Sequence, residues 1–209
     1  MLRVENLVKR YGDKTILDVP ALEMNLGIVH LKGINGSGKT TFSKIVAGLI
    51  PFQGEVLLNS KLSPVGDKVA YRKMVNYAEP EPKYPEFLTA NDLIRFVGKA
   101  KGASEASSNA LIEKLGISGY LYDHVGTYSS GMLKRLSLCL AFLGNPALIL
   151  LDEPFNTLDT SAIATLKELI GMNQANGVDF ILVSHQDMHE YGITVSSSFL
   201  VENHTIHPL

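Results

Sequence analysis

A chain of 209 residues with 45% apolar and 19% charged residues fits one folded domain and excludes a disordered protein. Its formal net charge of −2, without a dense run of Lys or Arg, makes nucleic acid a poor candidate partner. Its single cysteine, Cys139 between Leu138 and Leu140, excludes an intrachain disulfide, predicts a buried thiol and favours a reducing cytosolic location.

Neither the start of the chain nor its longest apolar region carries a membrane signal. Residues 1–10 alternate apolar and charged side chains, which predicts a first strand and not an export signal. Residues 136–151 are shorter than a membrane span and are interrupted by Ser137, Asn145 and Pro146. We therefore expect that this chain does not cross a bilayer by itself.

Predicted strands and helices alternate in the next part of the chain. Residues 28–32 form a short apolar run that ends in a glycine-rich turn, and residues 40–47 then show helical spacing. Two further strands are predicted at residues 54–58 and around residues 74–77, before a proline-rich loop at residues 79–85. The repeated unit is therefore strand, loop and helix.

Three consecutive helices interrupt this alternation. They are predicted at residues 91–101, 104–115 and 130–143. We interpret approximately residues 86–130 as a helical insertion within a single domain that covers residues 1–209.

Two uninterrupted apolar runs, at residues 147–151 and 180–183, follow the insertion and flank a predicted helix at residues 160–172. Runs of this kind are typical of the centre of a parallel sheet that is covered on both faces. The predicted fold class is therefore α/β. Polar residues at the ends of these strands are candidates for a site, since open α/β sheets bind ligands at the carboxyl ends of their strands.

Residues 33–40 match the phosphate-binding pattern GxxxxGK[ST] between a predicted strand and a predicted helix. Glycines let backbone N–H groups surround a phosphate, Lys39 suits the β- and γ-phosphates, and the Thr40 hydroxyl suits Mg²⁺. The alternative is a glycine-rich turn without a ligand, but the agreement of pattern and context favours the phosphate site. The expected nucleotide ligands are Gly33, Ile34, Asn35, Gly36, Ser37, Gly38, Lys39, Thr40 and Thr41.

Two carboxylates, Asp152 and Glu153, follow the apolar run at residues 147–151. Alone, such a pair is often only a strand end. Beside a phosphate loop, Asp152 becomes the expected Mg²⁺ partner and Glu153 the group that orients and polarises the attacking water. The expected ligand is a nucleoside triphosphate with Mg²⁺, and the expected catalytic residues are Glu153 and Lys39.

The segment Tyr-Ser-Ser-Gly-Met at residues 128–132 precedes the third predicted helix of the central group. By itself it is a turn with a serine N-cap. After a phosphate loop and a helical insertion, it resembles the signature segment of the ATP-binding cassette family. The resemblance covers nearly the whole chain and implies a P-loop NTPase with a mainly parallel central sheet, an N-terminal antiparallel β portion and an inserted helical subdomain.

The resemblance also implies partners. It implies an ATP-hydrolysing subunit that drives transport through a separate transmembrane permease subunit, on the cytoplasmic inner face of the cell membrane. It further implies an ATP-dependent head-to-tail dimer with a second ATP-binding subunit. In that dimer, ATP lies between the phosphate loop of one chain and Ser129, Ser130 and Gly131 of the other.

Two more residues and one loop take expected roles from the same resemblance. Tyr11 matches the aromatic residue that stacks on adenine, although a surface tyrosine at a strand end is equally compatible with the sequence. His185, at the end of the last core strand, matches the histidine that contacts the γ-phosphate. The loop at residues 155–159 is similar to the segment that contacts the opposite subunit.

The chain departs from the family pattern at two places. Pro80 stands where a glutamine usually senses Mg²⁺ and the membrane partner, and the neighbouring Glu79 and Glu81 are both open as its replacement. The signature carries Ser130 and Met132 where Gly and Gln are most frequent. Similar signature variants occur in the branch of the family that resembles drug, antibiotic and haem exporters, which favours export.

Three other functions compete with transport. A cassette ATPase outside transport usually has long coiled coils or two cassettes per chain, and this sequence has neither. A phosphate-loop kinase usually has an arginine-rich lid, whereas Arg is sparse here. An ATP-binding regulator without catalysis is disfavoured by Lys39, Glu153 and His185. The residues do not identify the cargo.

Overall fold

The computed structural model describes residues 1–209, which form nine β-strands and six α-helices. The strands make one three-stranded antiparallel sheet and one six-stranded, mainly parallel sheet. The predicted α/β fold class, with its N-terminal antiparallel portion and its helical insert, is confirmed.

The antiparallel sheet has the order β2-β1-β4 and is formed by β1 (Leu2–Tyr11), β2 (Lys14–Met24) and β4 (Gln53–Leu58). The strands predicted at residues 1–10 and 54–58 are confirmed. The strand β2 was not predicted, and it contains Pro20, which removes a ladder donor from the middle of the segment. The structure accommodates Pro20 because β2 lies at the edge of its sheet.

The larger sheet has the order β5-β6-β7-β3-β8-β9, and only its last pair is antiparallel. Its strands are β3 (Ile28–Lys32), β5 (Val75–Ala78), β6 (Leu148–Asp152), β7 (Asp179–Val183), β8 (Ser197–Glu202) and β9 (Thr205–Pro208). The four strands predicted here from apolar runs are confirmed to within about one residue. The strands β8 and β9 were not predicted.

Two hydrophobic cores cover the two faces of the large sheet. In β6, Leu148 and Leu150 belong to the core shared with the antiparallel sheet, whereas Ile149 and Leu151 belong to the core shared with the inserted helices. Side chains alternate between faces along a strand, and all five residues of β6 are buried. An uninterrupted apolar run is therefore required here, as for a strand covered on both sides.

The helices are α1 (Lys39–Val46), α2 (Lys68–Met74), α3 (Ala90–Lys101), α4 (Glu105–Lys114), α5 (Ser130–Ala141) and α6 (Thr160–Ala175). All were predicted except α2, a seven-residue helix capped by Asp67. Thr89 forms a capping box with Asp92 at the start of α3, and Ser104 caps α4. These caps explain why helices begin where the sequence predicts them.

The segment between β5 and α5 contains the loop predicted at residues 79–85, which has no helix or strand, followed by α3 and α4. The insert is therefore helical as expected, while its limits at residues 86 and 130 remain a prediction. None of the six helices combines the length and the apolar content that a membrane-spanning helix requires.

Candidate functional site

Three adjacent parallel strands bring the predicted site residues to one edge of the large sheet. The strands β6, β7 and β3 are neighbours in that order. The phosphate loop follows β3, the pair Asp152 and Glu153 ends β6, and Ser184 and His185 follow β7. The carboxyl ends of parallel strands point the same way, so these three segments converge on one site.

The phosphate loop needs glycine at defined positions. Gly33, Gly36 and Gly38 have φ values of 151°, 81° and 110°, in the left-handed region that favours glycine. A Cβ on Gly33 would lie 2.6 Å from the carbonyl oxygen of Val201, and the side chain of Ile34 at the loop tip is 79% exposed. The loop is thus closely packed against the backbone of Val201 at Gly33 and exposed at its tip at Ile34.

The side chain of Lys39 turns back into the loop. Its Nζ donates hydrogen bonds to the carbonyl oxygens of Gly33 at 2.6 Å and Ile34 at 3.0 Å, and the residue is only 6% exposed. Burial lowers the pKa of Lys39, while the nearby carboxylates of Glu153 and Asp152 oppose that shift. The ammonium group therefore stands at the centre of the loop, between backbone carbonyl oxygens and two acidic side chains.

Asp152 is buried beside Thr40 and Tyr77. Burial raises the pKa of Asp152, and the nearby hydroxyls of Thr40 and Tyr77 oppose the rise. The Tyr77 hydroxyl donates to Oδ2 of Asp152 at 3.2 Å. The carboxylate is thus directed toward the first turn of α1, where Thr40 lies.

Thr40 and Asp152 suit a magnesium ion that is only partly ligated by protein. Mg²⁺ usually binds one or two protein oxygens and takes its other ligands from water and substrate phosphates. The chain contains no group of three or more His, Cys, Asp or Glu side chains arranged to hold a metal, and one hydroxyl beside one carboxylate agrees with that mode.

Glu153 is held in an uncommon backbone conformation at the end of β6. Its φ is 44°, in the left-handed region that non-glycine residues seldom adopt, and its N–H donates to the carbonyl oxygen of Val183 at 2.8 Å. One carboxylate oxygen lies 3.0 Å from Nδ1 of His185, and the other accepts from the Ser184 hydroxyl at 3.4 Å. The structure therefore brings Glu153 and His185 together.

The signature segment lies at the start of α5. The Ser129 hydroxyl caps the helix by accepting from the N–H of Met132 at 3.2 Å, and a Cβ on Gly131 would lie 3.1 Å from the carbonyl oxygen of Thr157. Ser129 and Ser130 are exposed, and no hydrogen bond joins the segment to the phosphate loop of the same chain. The structure thus places the signature against the loop at residues 155–159.

Tyr11 and Thr41 are the two remaining predicted site residues. Tyr11 ends β1 and is 53% exposed, and Nζ of Lys9 stands 4.7 Å from its ring centroid. Thr41 is half-buried in the first turn of α1. A flat aromatic face that already receives a cation is compatible with stacking on a base, but Tyr11 forms no hydrogen bond with the loop.

The two carboxylates around Pro80 have different environments. Oε2 of Glu79 lies 3.5 Å from Nζ of Lys44, which belongs to α1 one turn after Thr40. Glu81 is exposed and forms no ion pair. Glu79 is thus connected to the helix of the phosphate site.

The sequence missed Tyr77 and Ser184 as site residues, although each directly contacts a predicted carboxylate. Tyr77 is 75 residues from Asp152 along the chain, and β5 pairs with β6. A strand-pairing prediction would have been needed to find it. Ser184 adjoins His185, so its position beside the predicted histidine was the available signal.

Comparison with known proteins agrees with this geometry. The family model described as ABC transporter matches residues 21–156. The lantibiotic transport ATP-binding protein SrtF of Streptococcus pyogenes is 33% identical over 187 residues, which cover 88% of this chain and 80% of the relative. The aliphatic sulfonates import ATP-binding protein SsuB 2 of Burkholderia cenocepacia is 35% identical over 164 residues, which cover 78% and 59%.

Solved structures give the same picture. The structure of an ATP-binding subunit of an ABC transporter superposes with a TM-score of 0.87 at 28% identity, and the match covers 100% of this chain and 90% of the other. A nucleotide-free ATP-binding cassette from an ABC transporter gives a TM-score of 0.78 at 20% identity, with 99% and 89% covered. The second likeness concerns the fold alone.

Proposed function

We propose that this chain binds ATP with Mg²⁺ at residues 33–41 and hydrolyses it with Glu153 to drive transport through a separate permease subunit. The chain belongs to the ABC transporter family as an ATP-binding subunit and ATPase. The observation that carries the proposal is the convergence of Lys39, Asp152 and Glu153 at the ends of adjacent parallel strands.

The proposed binding step exchanges the partners of Lys39. Its Nζ now contacts two neutral carbonyl oxygens, at Gly33 and Ile34. Phosphate oxygens carry charge, and hydrogen bonds between ionised partners are stronger than those to neutral acceptors. The β- and γ-phosphate oxygens therefore compete well for the ammonium group, while backbone N–H groups of the loop supply further donors.

Thr40 and Asp152 are the proposed protein ligands of Mg²⁺, and Tyr77 holds the Asp152 carboxylate in place. Bound there, the ion supplies charge neutralisation to the phosphate oxygens. We propose that the Glu79 carboxylate replaces the missing glutamine, since its ion pair with Lys44 connects the loop at residues 79–85 with α1.

Glu153 is the proposed group that orients the attacking water and accepts its proton. The hydrogen bonds from His185 and Ser184 restrict the carboxylate, which is 13% exposed and so still reachable by water. His185 is 49% exposed and can turn to contact the γ-phosphate as well. This pair is the hydrolytic centre that we propose.

A second copy or a similar subunit completes the proposed site. The exposed start of α5 offers the N-terminal end of a helix dipole, with Ser129, Ser130 and Gly131, to the phosphates held by a partner. Exposed Tyr11 is available to stack on the adenine. We propose that ATP joins two subunits head to tail and that hydrolysis releases them.

A groove of about 550 Å³ between the large sheet and α3 is the proposed permease contact. Exposed Phe96 and Val69 line it, and the loop at residues 79–85 contributes Pro82 and Lys83. Exposed apolar side chains beside cations suit an amphipathic helix that carries acidic residues. We propose a cytoplasmic helix of the permease as the occupant, which places this chain on the inner face of the membrane.

Export is the proposed direction of transport, supported by the signature variant with Ser130 and Met132. Relatives include an importer as well as a lantibiotic transport protein, so the sequence family alone does not decide direction. Transport into or out of sealed vesicles that contain the purified complex, measured for its cargo, tests this part of the proposal.

Glu153→Gln tests the hydrolytic assignment. The amide keeps the shape of the side chain but cannot accept a proton, so Mg-ATP binding should persist while phosphate release without any added acceptor is lost. The variant should also form an ATP-dependent dimer, detectable by light scattering. Turnover equal to that of the parent would remove Glu153 from the mechanism, and ATP affinity unchanged in Lys39→Ala would contradict the phosphate site.

A further inference from the structure

Lys134 is a buried cation in the second turn of α5 that the proposed reaction does not use. It is 1% exposed. Its Nζ donates to the carbonyl oxygens of Glu79 at 3.1 Å, Pro80 at 3.3 Å and Asp152 at 3.1 Å. An ammonium group has three N–H donors, so all of them are satisfied by backbone.

These carbonyl oxygens belong to two segments with different proposed tasks. Glu79 and Pro80 begin the loop that borders the permease groove, and Asp152 ends the strand that carries the hydrolytic carboxylates. The two segments are far apart in sequence but follow the paired strands β5 and β6, whose ladder ends at Ala78 and Leu151. Beyond that ladder, Lys134 joins their backbones. A displacement of either backbone segment changes the hydrogen bonds available to the other.

The peptide group between Asp152 and Glu153 is fixed at both ends. Its carbonyl oxygen accepts from Lys134, and its N–H donates to the carbonyl oxygen of Val183 at 2.8 Å. The φ angle of Glu153, which follows this peptide, is 44°. The direction of the Glu153 carboxylate therefore depends on the orientation of the peptide. Lys134 therefore controls one of the two contacts that set the pose of Glu153.

Burying a lysine ammonium group carries a desolvation cost that an apolar side chain does not have. Burial lowers the pKa of Lys134 to about 8, against the opposing influence of Asp152 and Glu153. An apolar side chain of similar length avoids that desolvation cost, and replacing buried charges with apolar groups is often neutral or stabilising. A role in packing alone does not explain a cation at this position.

We propose that Lys134 is a positioning residue that joins the loop at Glu79 and Pro80 to the peptide preceding Glu153, so that the state of the permease-contact loop and the pose of the hydrolytic carboxylate change together. This role rests on the proposed hydrolytic function of Glu153. It gives one side chain a direct backbone connection between the loop beside the groove and the peptide that precedes Glu153.

The test uses the full chain with a fluorine label on the cysteine of Lys83→Cys, in the exposed part of the loop. The native Cys139 is fully buried and stays unlabelled. The fluorine chemical shift is recorded before and after saturation with Mg²⁺ and a non-hydrolysable ATP analogue. Lys134→Met removes the ammonium group in this background, and kcat, KM and analogue affinity are measured alongside.

Lys101→Met is the matched control. Lys101 is a half-buried lysine with backbone acceptors only, the carbonyl oxygens of Val75 at 3.0 Å and Arg72, and it has no hydrogen bond to β6. Burial lowers its pKa to about 8 as well. Lys101 also lines the groove. A general effect of losing a desolvated cation beside the loop should therefore appear in both variants, whereas loss of the connection to β6 should appear only in Lys134→Met.

The expected result is that Lys134→Met binds the analogue like the parent, loses the nucleotide-dependent fluorine shift and has a kcat lower by about tenfold or more, as for a misplaced catalytic group. Lys101→Met should keep both the shift and kcat. A full shift with an unchanged kcat in Lys134→Met would overturn the proposal, and so would a raised KM with an unchanged kcat.

Two checks keep the outcome interpretable. If Lys134→Met does not fold, as judged by thermal melting, Lys134→Gln replaces it. A side-chain amide has only two N–H donors and cannot satisfy three carbonyl oxygens, so the same losses are expected, and full activity with a full shift would overturn the proposal. If the parent chain itself binds no nucleotide, the proposed function fails and the role of Lys134 fails with it. If the parent chain hydrolyses ATP and Lys134→Met keeps both the shift and kcat, only the role of Lys134 fails.

Discussion

Tyr77→Phe removes one oxygen atom and tests how Asp152 is prepared for Mg²⁺. The Tyr77 hydroxyl donates to Oδ2 of Asp152 at 3.2 Å, in a part of the site where burial raises the pKa of Asp152. Phenylalanine keeps the ring and its packing. The variant therefore changes the hydrogen bond to the carboxylate and little else.

The size of the effect follows from the charge of the acceptor. A hydrogen bond to an ionised group contributes about 1.5–3 kcal/mol. Loss of a hydrogen bond that supports a metal ligand typically lowers metal affinity by about ten- to a hundredfold. We therefore expect the Mg²⁺ concentration for half-maximal ATPase activity to rise by about that factor.

The pH dependence gives the sign of the effect independently. A hydroxyl that donates to a carboxylate favours its ionised form, so removing it raises the pKa of Asp152 further. Protonated Asp152 does not bind Mg²⁺. As pH falls, the variant should lose activity at a higher pH than the parent.

Phosphate release, titrated against free Mg²⁺ at several pH values, measures both effects. Tyr71→Phe is the control, because the Tyr71 hydroxyl donates to the carbonyl oxygen of Val46 at 2.6 Å and not to a site residue. Both variants should lose about 1 kcal/mol of stability or more. Equal Mg²⁺ dependence in Tyr77→Phe and the parent would refute the reasoning.

Three further predictions concern the loop, the thiol and the core. Gly36→Ala should weaken ATP binding through backbone strain of about 1–2 kcal/mol. Gly33→Ala should weaken ATP binding far more, because its Cβ meets the backbone of Val201 at 2.6 Å. Nucleotide titration of the folded variants measures this difference in affinity. Burial raises the pKa of Cys139 to about 12, so a thiol reagent at pH 8 should modify the chain only after unfolding; rapid reaction with the native chain would contradict this. Asn76→Ala removes two hydrogen bonds of 2.7 and 2.9 Å to carbonyl oxygens at the end of α5 and should lower stability by about 2–5 kcal/mol, measured by urea unfolding.

The elements that the sequence predicted well are those whose physical cause is local. The apolar run of β6 is buried on both faces, so nearly every residue carries the signal. Likewise, Gly33 to Thr40 form a contiguous pattern because one loop must surround one phosphate. A cap such as Thr89, with its capping box, marks a helix start within a few residues.

The elements that it missed depend on distant parts of the chain. β2 contains Pro20 and can still form a strand because it lies at the edge of its sheet, with β1 as its only neighbour. The strand β8 pairs with β3, nearly the whole chain away. In the site, the contacts of Tyr77 and Lys134 with Asp152 depend on strand order and on the packing of α5, which a single sequence does not reveal.

The charges around the site explain why its two buried lysines are not interchangeable. The pKa values of Lys39 and Lys134 are both influenced by Asp152 and Glu153, so these carboxylates lie within the fields of both cations. Lys39 contacts loop carbonyl oxygens that phosphate oxygens can replace, whereas the three partners of Lys134 are backbone atoms of the site itself. Lys39 is thus free to change partners when nucleotide binds. Lys134 can change partners only if the backbone moves, which is the property that a link between the loop and the hydrolytic centre requires.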